Sequence, residues 1–264
     1  MSKSLIPAQR RERIQEYLSL HRIARTVDLC KLLDASEATV RRDLEWLERD
    51  GFLERTHGGA NLSQRMILEP EYQQRVERYP EEKHRIGALA ASLIQDGDVV
   101  FINSGTTTTQ VIHQIRDKTE ITIFTNNMNA ALEMGEPGFH YHLVGGEFQS
   151  RSKSSAGRFA IENLKQVYAN KVFLGVDGVS LKYGCTVPTN AEAEVVRQMI
   201  ERTKGQIILV ADHSKWGVVS NYQIATLDEI DILITDDKFD QSAFGFLEAH
   251  SIKTLIAPTG LTNS

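Results

Sequence analysis

Two runs of side chains in this sequence have the chemistry to bind phosphate. The first is Arg41-Arg42, which follows Thr39 in a stretch with helical periodicity. Arginine presents a planar fork of N–H donors that fits a phosphate or the major-groove edge of a guanine. The second run is Ser104–Thr109, in which Ser-Gly is followed by four threonines. At the start of a helix, its N–H groups and hydroxyls would form an anion site, although Ser and Thr are also common as simple N-caps.

Three predicted helices place the first run. The first helix spans about 8–20, with an apolar stripe on one side. The second is short, and Thr26 is its predicted N-cap. Its predicted inward residues are Val27, Leu29, Leu32 and Leu33. The third runs over about 37–50, after a turn at 34–36, and Gly51 is its predicted left-handed C-terminal cap.

The third helix has one apolar face and one face suited to DNA. Its apolar residues recur at i, i+4 and i+7, and they are Val40, Leu44 and Leu47. At about 100° per residue, Arg42 points away from that face, together with Ala38 and Thr39. We therefore expect this helix to enter the major groove, with Arg42 on a base edge and Arg41 on phosphate. The alternative is an ordinary surface helix.

A short hairpin is predicted directly after the third helix. Gly58-Gly59 lies between two strand candidates and favours a tight two-residue turn. A hairpin in this position is a wing, and Arg55 and His57 would approach the DNA backbone, although a single histidine is often structural. The predicted DNA-contacting residues are Arg25, Ser36, Thr39, Arg41, Arg42, Arg55 and His57.

The charges are distributed unevenly along the chain. Residues 1–60 carry 11 Lys and Arg against 10 Asp and Glu, a net charge of +1, whereas the whole chain carries −5. The cations of this segment are bunched, and the bunches are Arg10, Arg11 and Arg13; Arg22 and Arg25; Arg41 and Arg42. Local clusters of this kind suit phosphate binding, and solvated helix faces are the alternative. The acidic remainder would be repelled by DNA.

Strands and helices alternate after residue 81, which predicts an α/β domain with a mostly parallel sheet. The predicted strands are Val99–Asn103, Ile121–Thr125, His140–Val144, Lys171–Val176, Gln206–Ala211, Asp231–Thr235 and Lys253–Ile256. Helices are predicted over 107–117, 128–135, 157–168, 191–204 and 241–250. The sequence thus divides into a winged helix-turn-helix (1–62), a polar linker (63–80) and an α/β sensing domain (81–264).

Polar loops follow several of these strands, and ligands bind at the carboxyl ends of parallel strands. The predicted ligand-binding residues are Asn103, Ser104, Gly105, Thr106, Thr107, Thr108, Asn126, Asp177, Glu192, Glu194 and Lys215. Lys215 could pair with a phosphate as a point charge, and Asp177 could hold a sugar hydroxyl. The alternative for both glutamates is a favourable position near a helix N-terminus.

The N-terminal pattern resembles the signature of the DeoR family of bacterial regulators. Its residues are Ser36-x-x-Thr39-Val40-Arg41-Arg42-Asp43-Leu44-x-x-Leu47 and Gly51-x-Leu53-x-Arg55-x-His57-Gly58-Gly59-Ala60. The later loops resemble the sensor domain of the same family, which is similar to ribose-5-phosphate isomerase. The matching pieces are Gly105-Thr106-Thr107, Thr125-Asn126-Asn127, Gly145-Gly146-Glu147, Gly175-x-Asp177-Gly178 and Asp212-His213-Ser214-Lys215.

The resemblance implies a regulator, usually a repressor of sugar-catabolism genes, that a phosphorylated sugar releases from its operator. It places the phosphate on Ser104–Thr108 with Lys215, and sugar hydroxyls on Asn126, Asp177 and one of the two glutamates. One position departs from the family, because Asn103 stands where an aspartate is usual. We expect the effector's stereochemistry to differ accordingly.

Several classes of protein fit the sequence less well. No apolar run approaches the roughly 18 residues that span a membrane, and no apolar secretory core follows the N-terminus. Cys30 and Cys185 lack metal-binding spacing, so we expect a cytoplasmic protein with no metal and no cofactor besides its effector. The expected partners are double-stranded operator DNA and further copies of the chain, as a dimer or tetramer, because inverted half-sites require two-fold symmetry.

Two other functions fit the sequence less well. A sugar-phosphate isomerase fused to a DNA-binding module would need a general base, for which Glu192 and Glu194 are the candidates. An adaptor or coenzyme-A-binding protein on a related fold has no distinctive support, and the winged helix argues against it. The leading prediction is a regulator without catalytic residues.

Overall fold

A helix-turn-helix with a three-stranded sheet forms the N-terminal part of a computed structural model, which describes residues 5–21, 23–50, 52–56, 58–62, 72–115 and 118–259. Its elements are α1 (Pro7–His21), β1 (Ile23–Arg25), α2 (Thr26–Leu33), α3 (Glu37–Arg49), β2 (Leu53–Thr56) and β3 (Gly59–Leu62). The strand order is β1-β3-β2, with both pairs antiparallel. The winged helix-turn-helix predicted from sequence is therefore confirmed, and β1 is an addition to it.

The small core of this part is built from all three helices. The predicted inward face of α3, Val40, Leu44 and Leu47, is buried. In α2 the prediction is wrong for Val27 and Leu32, which are 61% and 41% exposed. Thr26, Leu29 and Leu33 form the buried face instead, because α2 is a short helix with one apolar stripe, and Val27 lies on its opposite side. Thr26 is the first helical residue, and the N-cap position belongs to Arg25.

The wing differs by one residue from the predicted hairpin. Thr56 pairs with Gly59, so Gly59 belongs to β3 and does not lie in the turn. Glycine is required at position 59 for a steric reason, because a Cβ there would lie 2.0 Å from the carbonyl oxygen of Ala24 in β1. The predicted cap at Gly51 and the side chain of His57 lie outside the described residues.

The rest of the described chain is an α/β fold. Its helices are α4 (Tyr72–Val76), α5 (Pro80–Ser92), α6 (Thr106–Gln114), α7 (Met128–Met134), α8 (Arg158–Leu164), α9 (Asn190–Glu201) and α10 (Phe244–Ala249). Its strands are β4 (Val99–Ile102), β5 (Thr122–Thr125), β6 (His140–Leu143), β7 (Glu147–Gln149), β8 (Ser154–Ala156), β9 (Ala169–Leu174), β10 (Gly178–Ser180), β11 (Gly184–Val187), β12 (Thr203–Val210), β13 (Tyr222–Ala225), β14 (Ile232–Thr235) and β15 (Lys253–Ile256).

The main sheet has seven parallel strands in the order β15-β14-β12-β9-β4-β5-β6. All seven predicted strands are in it, which confirms the predicted parallel sheet. Apolar side chains fill both of its faces: Phe173 packs with α5 and α6 on one face, and Phe101 packs with α8 and α9 on the other. A sheet buried on both faces explains why its strands read as continuous apolar runs.

Two small antiparallel sheets were not predicted from the sequence. One joins β7 to β8, and the other has the order β10-β11-β13. Their strands are three or four residues long and are fixed by their pairing partners, so the local sequence carries little periodicity.

The helix α1 joins the two parts of the protein. Ala8 is buried in the core of the α/β part, and Gly217, at φ +77°, leaves room for it. Glu16 forms an ion pair of 2.7 Å with Lys182 in the hairpin between β10 and β11. The winged helix is therefore seated directly on the α/β fold. Among the described helices, none combines the length and apolar character needed to cross a bilayer.

Candidate DNA-binding surface and anion-binding cleft

The N-terminal half of α3 carries an exposed polar face. Ser36 caps the helix, because its hydroxyl accepts from the Thr39 N–H at 3.3 Å and contacts the Thr39 hydroxyl at 2.9 Å. Arg41 is exposed and pairs with Glu37 at 2.6 Å. Arg42 is also exposed, and within the described ranges it has no ion-pair partner. A bidentate contact with a guanine requires such an accessible guanidinium.

Two further predicted contact residues are held by neighbouring carboxylates. Arg25 pairs with Asp28 at 2.7 Å, and Arg55 pairs with Glu45 at 3.0 Å. Exposed pairs of this kind contribute only about 0–1 kcal/mol, so a DNA phosphate can replace the carboxylate. Both arginines thus remain available for contact.

The cation cluster at the start of α1 is mostly structural. Arg10 forms an ion pair of 2.6 Å with the buried Asp43 of α3. The Arg11 guanidinium lies 4.0 Å from the centre of the Trp46 ring and is buried. Arg13 is exposed. Arg10 is therefore occupied by Asp43 and Arg11 by packing inside the protein, and neither guanidinium is presented for phosphate contact.

A cleft of about 480 Å³, counting space that is open to solvent, lies at the carboxyl ends of β4 and β9. Its lining comprises Arg75, Asn103, Ser104, Gly105, Thr106, Thr107, Gly175, Val176, Asp177, Val187, Glu192, Val196 and Lys215. Most of the predicted ligand-binding residues are thus brought together in one place, as expected for loops that leave a parallel sheet.

The first turn of α6 forms one wall of this cleft. Its N-cap is Gly105, which offers no side-chain acceptor to the first-turn N–H groups. Such N–H groups lack partners within the helix and favour an anion. The Thr108 hydroxyl instead donates to the Gly105 carbonyl at 3.0 Å, and Thr108 is fully buried. Thr108 therefore supports the turn and does not line the cleft, contrary to its predicted role.

Asn126 also supports the loop from behind. Its Oδ1 accepts from the Ser104 N–H at 2.8 Å, and its Nδ2 donates to the Ser155 carbonyl at 3.0 Å. With both amide atoms used and 1% exposure, Asn126 is placed outside the cleft, so the predicted contact with a hydroxyl does not fit its position. Its role here is to orient Ser104.

Charged groups of both signs face the cleft. Arg75 Nη1 lies 3.5 Å from Asp177 Oδ1, and Lys215 Nζ lies 4.0 Å from the same oxygen. Burial, and then the nearby Asp177 carboxylate, raises the pKa of Glu192. Glu194 is exposed and accepts from Asn190 at 2.9 Å, so this residue lies outside the cleft. Of the two glutamates, only Glu192 is positioned for a ligand.

Asn103 forms a clamp between two strands. Its Nδ2 donates to the Gly175 carbonyl at 2.9 Å, and its Oδ1 accepts from the Gly175 N–H at 2.7 Å. The amide holds β4 beside the loop after β9, which fixes the floor of the cleft. An aspartate could not make both bonds while ionised, because it has no donor.

Arg75 is the cleft residue that the sequence prediction missed. It belongs to α4, in the predicted linker, and its side chain is 12% exposed. No motif surrounds it, and the sequence there indicates a polar connector with a helical turn around Tyr72–Arg78, without a binding role. Arg75 reaches the cleft because α4 packs against α6, where the Tyr72 hydroxyl lies 3.0 Å from the Thr109 hydroxyl. This contact between distant segments cannot be read from the local sequence.

The C-terminal end of α3 is in contact with the same region. Asp50 lies 3.7 Å from Arg78, and its side chain is 11% exposed. Burial raises the pKa of Asp50 to about 6, although the positive charges of Lys215 and Arg78 oppose that rise. The helix α3, the proposed recognition helix, thus ends in a carboxylate that is close to Lys215 of the cleft.

We expect Asp50→Asn to change how stability depends on pH. The raised pKa means that wild-type stability is greatest below the unfolded-state pKa near 4 and falls as the pH rises through about 6. Relative to wild type, Asp50→Asn should therefore gain about 2 kcal/mol between pH 4 and pH 7.5. Urea unfolding at both pH values measures this gain. The exposed Asp96→Asn is the matched control, and a gain of equal size there would contradict the assignment.

No group of three or more His, Cys, Asp or Glu that could hold a metal ion is found among the residues described.

What the geometry defines is a DNA-binding winged helix seated on an α/β domain with a polar cleft. This is the architecture of a ligand-responsive transcription regulator.

The DeoR C-terminal sensor domain matches residues 78–237, and the DeoR-like helix-turn-helix domain matches residues 10–65. The chain belongs to the DeoR family of transcriptional regulators. It is 36% identical to the HTH-type transcriptional repressor GlcR of Bacillus subtilis, over 92% of this chain and 93% of that protein. It is 34% identical to the HTH-type transcriptional regulator GlpR of Haloferax volcanii, over 94% of this chain and 97% of that protein.

A solved structure, ribose 5-phosphate isomerase from Plasmodium falciparum, is similar with a TM-score of 0.37 and 11% identity. The similarity covers 50% of this chain and 51% of that one.

Proposed function

We propose that this protein is a repressor of carbohydrate-metabolism genes and that a phosphorylated sugar releases it from its operator. The observation that supports this most directly is the cleft, which is lined by a helix N-terminus, two cations and two carboxylates. Such a site offers donors to a phosphate and acceptors to hydroxyls. The relative GlcR, whose name describes it as a repressor, supports the sign of regulation.

In this proposal each group of residues has one task. The DNA-binding residues are Arg25, Ser36, Thr39, Arg41, Arg42 and Arg55, with His57 at the wing. The phosphate would bind the N–H groups of the α6 first turn and Lys215, while Asp177 and Glu192 would accept from hydroxyls. At least a dimer would bind the operator, because inverted half-sites require two-fold symmetry.

We expect a phosphorylated sugar to raise the melting temperature. At a hundredfold excess over Kd, a ligand stabilises the native state by about 2.7 kcal/mol, which corresponds to roughly 5–10 °C for a chain of this size. The screen would include glucose 6-phosphate, fructose 6-phosphate, ribose 5-phosphate and inorganic phosphate, with unphosphorylated sugars as negative controls.

The variant Lys215→Ala should lose most of this shift, whereas Lys204→Ala, at an exposed lysine, should keep it. The active compound should also weaken binding to an operator selected in vitro from random duplexes. If no phosphorylated sugar changes either the melting temperature or the operator affinity, the proposal is wrong.

A sugar-phosphate isomerase is the second candidate, because the buried Glu192 carboxylate faces the cleft and its raised pKa suits a general base. An assay of the purified protein with pentose and hexose phosphates separates the two functions. Turnover that disappears in Glu192→Gln would favour the enzyme, and binding without turnover would favour the sensor.

A further inference from the structure

A short segment of the chain contacts both the cleft and the recognition helix. Arg75 lies on α4 and reaches Asp177 in the cleft at 3.5 Å. Arg78 follows three residues later and lies 3.7 Å from Asp50, which ends α3. The Arg78 guanidinium also donates to the main-chain carbonyl directly before Asp50. One connector thus contacts both the cleft, through Arg75, and the C-terminal end of α3, through Arg78.

The connector is held at both arginines by one side chain. The buried Lys83 ammonium donates to the main-chain carbonyls of both Arg75 and Arg78. The Tyr79 ring packs edge-on against His213 at 4.6 Å, in the loop that carries Lys215. The main chain at Arg75 is therefore joined to the main chain at Arg78 through a single ammonium group.

The charges at the cleft make such a shift a consequence of ligand binding. Asp177 is shared between Arg75 and Lys215. An incoming phosphate carries more charge than a carboxylate and accepts both arms of a guanidinium fork, so it competes with Asp177 for Arg75. Arg75 would then exchange its contact with Asp177 for a contact with the ligand.

We propose that Arg75 binds the phosphate of the effector, and that its transfer from Asp177 displaces Arg78 from the C-terminal end of α3. This proposal rests on the proposed function of the cleft. It assigns to the connector the two roles of effector contact and signal transmission to the DNA-binding surface. Regulation requires only that the ligand favours one arrangement, and a coupling of about 5–150-fold is usual.

The first experiment needs no ligand. Asp177→Asn removes the carboxylate that holds Arg75, so it should imitate the arrival of an effector. Operator affinity, measured by fluorescence anisotropy on a duplex selected in vitro, should then fall by about fivefold or more. In the Arg78→Gln background the same substitution should change the affinity by less than about twofold.

Arg85→Gln is the matched control background, because Arg85 also forms a short ion pair, with Asp237 at 2.7 Å, but contacts neither α3 nor the cleft lining. In it, Asp177→Asn should keep its full effect. Circular dichroism and melting temperature establish that each variant is folded. The proposal is overturned if Asp177→Asn has no effect on operator affinity, or the same effect in both arginine backgrounds.

The second experiment uses the sugar phosphates of the thermal screen. Arg75→Gln should lose most of the melting-temperature shift. Arg78→Gln should keep the shift, while the ratio of operator Kd values with and without the compound falls below about twofold. If wild type shows no shift with any compound, the proposed function fails, and the ligand-free comparison still decides whether Arg75 and Arg78 couple the cleft to α3. If Arg78→Gln retains the full ratio of Kd values, this coupling is wrong although the cleft binds its ligand.

Discussion

Arg42→Ala is expected to weaken binding to the selected operator by about 1–3 kcal/mol, roughly 5–150-fold in Kd, and to relax the preference at one base pair. The reason is that a fork–fork contact with a guanine is lost and no neighbour can replace it. Arg42 is exposed on the outward face of α3, so its removal should leave the free energy of unfolding almost unchanged.

Arg41→Ala provides the comparison. It lies next to Arg42 but is already paired with Glu37, on the flank of the same helix. Its loss should weaken specific and non-specific DNA similarly and lower the slope of log K against log salt by about 1. Both variants would be titrated against operator and scrambled duplexes at several salt concentrations. If Arg42→Ala lost affinity equally for both duplexes, the assignment of base recognition to Arg42 would be wrong.

Gly59→Ala is expected to destabilise the winged helix by about 3 kcal/mol or more. A methyl group at this position would lie 2.0 Å from the Ala24 carbonyl oxygen and 2.8 Å from the Arg25 Cα. Both atoms belong to the main chain of β1, so the clash can be relieved only by separating β1 from β3. The wing and the start of α2 would then be displaced, and operator binding should be lost.

Gly58→Ala is a closely matched control, because nothing lies within 4 Å of a Cβ at that position. We expect a change within about 0.5 kcal/mol. Urea unfolding followed by tryptophan fluorescence in a Trp216→Phe background, where Trp46 is the remaining tryptophan, reports on the N-terminal part. A retained thermal response to ligand reports that the cleft is intact. A larger loss in Gly58→Ala than in Gly59→Ala would restore the hairpin turn first predicted from the Gly-Gly pair.

Much of this protein can be predicted from local sequence patterns. The five inner strands of the main sheet are short, largely apolar runs, and α3 has its apolar residues at helical spacing. Burial on one or both faces imposes these periods directly on the residues, so the pattern is readable without the fold. The same reasoning brings polar loops to one edge of the sheet, which is why Ser104, Asp177 and Lys215 were predicted together.

Other features were decided by tertiary structure alone. Arg10 and Arg11 have the composition of a DNA contact, but Arg10 is paired with Asp43 and Arg11 is buried against Trp46. Asn126 and Glu194 make other contacts outside the cleft, and Arg75 reaches the cleft from the connector. Each of these outcomes depends on a partner that is distant in the chain. A local pattern records which face of an element is buried, but not which distant group it meets, because that choice is made by the packing of whole elements.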